Sequence, residues 1–200
     1  MDALTSAELD TFREGIKRYV DFNEAEWIVF TQHLTEVNLK KKQHFAEPGK
    51  VCNHIGFVLQ GSVRYYLVKD GVEITGYFSF ENEFVSSYKS FLTREPALNY
   101  IQALEPSHIL LISHANLQLM VNNPMLAYKM ERFGRLIAEY YLICYEERMS
   151  DFITHTPEER YLKLLRTGKD ILQRMPQHYI ANFLGITPVS LSRIRKRILA

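Results

Sequence analysis

The residues of this 200-residue chain best suited to chemistry are cations near its C-terminal end. "RIRKRI", residues 193–198, holds Arg193, Arg195, Lys196 and Arg197 within five positions. Groups at that density neutralise phosphate esters, and a guanidinium fork also fits the O6 and N7 of guanine. The surrounding stretch "QHYIANFLGITPVSLSRIRKRI", residues 177–198, predicts what holds them. With Gln177 as the first position, Ile180 is fourth, Ala181 fifth, Leu184 eighth, Gly185 ninth and Ile186 tenth, followed by Leu191 at fifteen and Ile194 at eighteen. Ala181 is small where a second helix crosses close by. Gly185 can take the left-handed conformation that turns the chain. Ile180, Leu184, Ile186, Leu191 and Ile194 fill the wedge between two helices. Thr187 caps the second helix, and Pro188 stands in its first turn. This is the spacing of a helix-turn-helix, which lays its second helix in the DNA major groove. Its outward positions are Thr187, Pro188, Val189, Ser190, Ser192, Arg193, Lys196 and Arg197, mostly groups that bond bases or phosphates rather than an apolar partner.

Charge agrees with a polyanion partner for this end. The net charge of +1 divides into +6 from residue 157 onward, nine Lys and Arg against three Asp and Glu, and −5 before it. Other chemistries find little support. Two cysteines, Cys52 and Cys144, supply neither a disulfide framework nor a thiolate cluster and fit a reducing cytoplasm. His44, His54, His108 and His114 show no ligand spacing, and no Ser-His-Asp or Cys-His set stands out. No cofactor, metal or catalytic activity is therefore expected. The richest apolar stretch, "HILLIS", is far too short to cross a membrane, and the N-terminus has no signal-peptide pattern.

The rest of the chain must position the basic helix. Thr5 with Glu8 and Asn23 with Glu26 are capping boxes for two short helices. "VNLKKKQHF", residues 37–45, alternates as a strand, and turn signals then recur every few residues, with Asp70-Gly71 a type I′ hairpin signal. Residues 37–112 thus predict a small antiparallel barrel or jelly roll. From Asn123 and Pro124 a long helix follows. Met130, Phe133, Ile137, Tyr140 and Cys144 continue Leu126 in a 4-3-4-3-4 heptad seam, which predicts pairing with the same helix of a second copy. Thr156, Pro157 and Glu159 open another helix, and Gly168 stops it.

In this order of β-roll, long helix and helix-turn-helix the chain resembles the Crp/Fnr family of bacterial transcription regulators over nearly its full length. The roll's signature is "FAEPGKVCNHIGFVLQGSVRYYLV", and "FENEFVSSYKSF" stands where the family has its phosphate-binding cassette. The resemblance implies a cytoplasmic homodimer that binds an inverted-repeat DNA site, acts with RNA polymerase and answers to a small-molecule effector. It places the effector pocket at Phe84, Ser86, Ser87, Tyr88, Ala97, Leu98 and Tyr145. Cyclic-AMP binders carry Gly-Glu and Arg-Ser where this chain has Ser86-Ser87 and Ala97-Leu98, and a Thr-Ser pair at Tyr145 and Glu146. The effector is therefore expected to differ from cyclic AMP. On the recognition helix the family's Arg, Glu and Arg correspond to Pro188, Val189 and Arg193, so the target sequence should differ too. Only "KDILQR" is available for the family's wing hairpin, which must be short or absent.

The expected architecture is α+β: residues 1–123 a jelly-roll-like β-roll of the cyclic-nucleotide-binding type with its N-terminal helices, 124–154 a dimerisation helix, and 155–200 a helix-turn-helix domain. Two alternatives accompany the regulator: a DNA-binding dimer that needs no effector, and a cupin-like metalloenzyme using His54.

Overall fold

The computed structural model describes residues 4–199. Both N-terminal capping boxes form, Thr5 with Glu8 ahead of α1 (Ser6–Ile16) and Asn23 with Glu26 ahead of α2 (Glu24–Thr31). The buried rings of Phe12, Trp27 and Phe30 pack together, and Phe12 meets Phe57 of the roll edge-on at 4.9 Å.

Eight strands follow: β1 (Leu34–Leu39), β2 (His44–Ala46), β3 (His54–Gln60), β4 (Val63–Lys69), β5 (Val72–Ser79), β6 (Phe84–Val85), β7 (Tyr100–Ala103) and β8 (Ser107–Ser113). They make two four-stranded sheets, ordered β1-β8-β3-β6 and β2-β7-β4-β5. The core between them holds Val58, Val63, Val85, Ile101 and Ile109, all with no exposed surface. Asp70 and Gly71 both have positive φ, 53° and 78°, as the predicted β4–β5 turn demands. The run 37–45 differs from its expectation of one strand. Lys42 turns left-handed (φ 72°), the Gln43 side chain accepts from the Lys40 N–H at 2.6 Å, and the chain passes from one sheet to the other.

α3 (Tyr88–Thr93) follows β6, and α4 (His114–Val121) follows β8. The long helix α5 (Ala127–Thr154) begins three residues beyond Pro124, because Asn123 first closes a turn on Leu126 and Ala127. Leu126 is wholly buried and anchors that turn. The helix fits a dimerisation helix, but the seam expected on it needs correction. Met130, Phe133 and Ile137 are buried in the chain itself, and Phe133 lies edge-on to Tyr19 and Phe84 at 6.1 and 5.6 Å. Tyr140 also meets Tyr19, at 6.4 Å, and Cys144 is half-buried. An aromatic cluster from the roll fills the stripe. In the later half of the helix the exposed apolar residues are Leu142, Tyr145, Met149 and Phe152, a 3-4-3 seam, flanked by Ile143 and Ile153.

Four helices complete the fold: α6 (Pro157–Thr167), α7 (Lys169–Arg174), α8 (Gln177–Phe183) and α9 (Pro188–Leu199). The chain groups into two compact units. One comprises the residues up to Tyr65 with Ser79–Tyr140, the other Tyr66–Phe78 with the residues from Tyr141 on. The long helix is thus divided at its middle, where the sequence suggested a separate segment.

Candidate nucleic-acid interface and effector pocket

In the second unit the Thr156–Glu159 capping box starts α6. Gly168 ends it without the left-handed turn expected of a stop glycine (φ −105°). A Cβ there would lie 2.2 Å from Leu164 Cδ1, so the position needs the missing side chain rather than the unusual dihedral. "KDILQR" forms α7, leaving no strand for a wing between α6 and α8 among the described residues.

The helix-turn-helix forms as its spacing demands. Ile180, Ala181, Leu184, Leu191 and Ile194 are buried, and Ile186 is half-buried. Gly185 has φ +72°. Thr187 Oγ1 accepts from the Ser190 N–H at 3.1 Å and lies 3.0 Å from the Ser190 hydroxyl, the cap that starts α9. Thr187, Pro188, Val189, Ser192, Arg193, Lys196 and Arg197 are exposed, and Ser190 is half-buried. Arg197 pairs with Glu158 at 2.5 Å, whereas Arg193 and Lys196 make no ion pair among the described residues. Those two cations are the freest for a phosphate or base edge.

Sequence reasoning missed what fixes the turn. Arg148 on α5 donates to the Phe183 carbonyl at 2.9 Å, and Arg160 on α6 donates to the Leu184 carbonyl at 3.0 Å. Cations at the C-terminal end of α8 satisfy its free carbonyls and complement its dipole. The Arg148 guanidinium also lies 3.8 Å from the Phe183 ring centre. Burial, with the nearby Arg160 charge adding and Asp151 and Tyr77 opposing, lowers Arg148 to about 10. It remains protonated at neutral pH. No local sequence signal pairs residues 148 and 160 with carbonyls 35 and 24 positions further on.

The expected effector pocket is divided. Tyr145 is exposed and belongs to the second unit, while the other residues belong to the first. Phe84 is buried among Tyr19, Phe57 and Phe133 and is a core residue. Tyr88 is half-buried, and burial raises its phenol. Ala97 is buried and exchanges backbone bonds with the Gly49–Lys50 turn, whereas Leu98 is exposed. The cassette hydroxyls already donate within the protein: Ser86 to the His54 carbonyl at 3.0 Å, Ser87 to the Asn99 side chain at 2.7 Å, and Ser90 to the Glu95 carbonyl at 2.5 Å. Arg94 donates to the carbonyls of Cys52 and Phe91 and to the Asn53 side chain. A cyclic phosphate entering here would have to displace these bonds. Among the described residues His54 belongs to no carboxylate cluster; burial first, and Arg94 second, lower it.

Another histidine does meet carboxylates. His108 approaches Glu36 through Nε2 at 2.6 Å and Glu8 through Nδ1 at 3.3 Å. The Glu36 contact is a hydrogen bond, and one ligand atom from each of Glu8, Glu36 and His108 lies within 4.8 Å of the others.

Residues 36–123 match the family model of the cyclic nucleotide-binding domain. Solved structures share the fold beyond it. The cyclic-di-GMP-responsive global regulator CLP of Xanthomonas campestris matches with a TM-score of 0.66 and 16% identity, over 84% of this chain and 87% of its own. FixK2 of Bradyrhizobium japonicum matches with 0.66 and 19%, over 82% and 84%. A CooA variant from Carboxydothermus hydrogenoformans matches with 0.62 and 19%, over 88% and 80%. No curated protein sequence matches the chain. No described helix is long and apolar enough to cross a membrane.

Proposed function

We propose that this chain is a homodimeric DNA-binding transcription regulator of the Crp/Fnr type, responding to an effector other than cyclic AMP. The observation that carries the reading is the second helix of the helix-turn-helix, exposed on its Ser192, Arg193 and Lys196 side and held by a turn that two arginines brace. A twofold dimer joined along Leu142, Tyr145, Met149 and Phe152 would present two such helices to an inverted repeat, with half-sites about one helical turn, ~34 Å, apart. CLP, described as a regulator linking cell–cell signalling to virulence gene expression, has the same fold. Contact with RNA polymerase belongs to the same reading.

Selection from a random duplex library tests it. An enriched inverted repeat is the expected result; no enrichment, with or without candidate effectors, overturns the reading. A second reading, a DNA-binding dimer that needs no effector, is favoured by one observation: the cassette hydroxyls of Ser86, Ser87 and Ser90 are all bonded within the protein. A thermal-shift screen separates the two, since a ligand at a hundred times its Kd stabilises by about 2.7 kcal/mol.

A further inference from the structure

The second unit contains a cavity of about 250 Å³ whose walls come from Tyr77, the later half of α5, α6, α7 and the end of α8. Its volume lies just below the range of about 300–1,000 Å³ typical of drug-sized ligand sites. Three cations line it, Arg148, Arg160 and Lys163, against two carboxylates, Glu147 and Asp151. Lys163 is bound to Asp151 at 2.7 Å. Neither arginine forms an ion pair among the described residues. Both guanidiniums instead lie against the Phe152 ring, with centroid distances of 4.9 and 4.5 Å.

Donor capacity is also left over. A guanidinium carries five N–H groups. Arg148 uses one of them, to the Phe183 carbonyl, and Arg160 uses two, to the carbonyls of His155 and Leu184. The buried Arg160 Nε has no acceptor. Desolvated cations with unmet donors favour an anionic partner that accepts in the plane of the fork. From this arrangement we infer that the cavity beside Arg148 and Arg160 binds a small oxyanion, a carboxylate or phosphate of metabolite size. Phe152, Leu164 and Ile171 give a short carbon stem an apolar wall. Burial, which holds Arg148 below its ordinary value, would be offset by the ligand's charge.

The site touches the proposed function at one point. The same two arginines hold the adjacent carbonyls of Phe183 and Leu184 at the end of α8, just before the turn into α9, so an occupant competes for the groups that fix that turn. Binding itself is measured without DNA, so its failure and a failure to bind DNA are distinguishable.

The test is calorimetric titration of the full chain with inorganic phosphate and, separately, succinate, in chloride buffer at matched ionic strength. One or both should saturate with a sub-millimolar Kd, and whichever does identifies the phosphate or carboxylate source. Arg148→Gln should weaken that binding at least tenfold, about 1.4 kcal/mol. Lys163→Gln removes the cation bonded to Asp151 beside the cavity and should weaken it as well, which keeps the test available if Arg148→Gln fails to fold. Arg193→Ala should bind as the unmodified chain does. Absence of saturation by either anion, or undiminished binding in both cavity variants, overturns the inference. Loss of binding in Arg193→Ala alone does so too, because it moves the anion to α9.

Discussion

The side chain of Asn182 replaces a missing strand beside Thr75. Its Oδ1 accepts from the Thr75 backbone N–H, and its Nδ2 donates to the Glu73 carbonyl at 2.6 Å. β5 is the last strand of its sheet, so these two groups have no neighbouring strand to pair with. An amide offers donor and acceptor side by side, as a peptide unit does.

Asn182→Ala should therefore cost about 1–3 kcal/mol, because the Thr75 N–H, in a residue only 2% exposed, is left without an acceptor. Hydrogen exchange checks it: the Thr75 amide should lose protection in the variant. Unchanged exchange would mean that Asn182 does not hold the strand.

On α5 the two halves should respond oppositely to substitution. Leu142→Glu with Met149→Glu should give monomers that keep their fold, since both residues are exposed in the single chain. Phe133→Ala should instead lower stability by about 3–5 kcal/mol, as for other buried aromatic residues. Sedimentation and chemical denaturation of the two variants distinguish these outcomes. A monomeric unmodified protein at micromolar concentration would remove the dimer altogether.

Arg193→Ala should weaken binding to a selected duplex by about 1–3 kcal/mol and relax preference at one position per half-site. Neutralising Lys196 should weaken all sequences alike and lower the salt slope by about one unit. Arg197 should respond less to substitution than Lys196, because Glu158 already occupies it. Titration against the selected duplex at several salt concentrations separates the three.

Acid stability should depend on Glu26. The Lys129 ammonium bonded to it, helped by the Asn23 N–H, holds its carboxyl below the ordinary value of 4.5. A folded value below the unfolded one gives stability that is present above pH 4.5 and is lost as pH falls through the folded value. Glu26→Gln should be less stable near neutral pH and show a shallower decline between about pH 5 and pH 3. Urea midpoints across that range test both points.

How far the sequence could be read depended on whether a signal was local. The capping boxes at Thr5, Asn23 and Thr156 and the turn at Gly185 rest on residues within a few positions of one another, and each formed as expected. The heptad stripe on α5 was also real, but a stripe records only that something covers it. Tyr19 and Phe84, distant in sequence, cover its first half. The candidate interface on α9 was legible because the outward face of a helix follows from its period. The two arginines behind the turn, and the internal partners of the cassette serines, were not, since each joins residues brought together only by the tertiary fold.

The link from Asn182 to Thr75 spans 107 positions, and this separation governs events during synthesis. The hairpin of β4 and β5 leaves the ribosome long before α8 exists. At about 5–20 residues per second the wait is roughly 5–20 s. Throughout it the nascent chain displays an unsealed strand edge, with Leu67, Val68, Val72 and Ile74 exposed even in the finished protein. Such an edge is a template for pairing with neighbouring chains. Slower translation should therefore raise the aggregated fraction, and a nascent-chain chaperone should have its main client segment at residues 66–78.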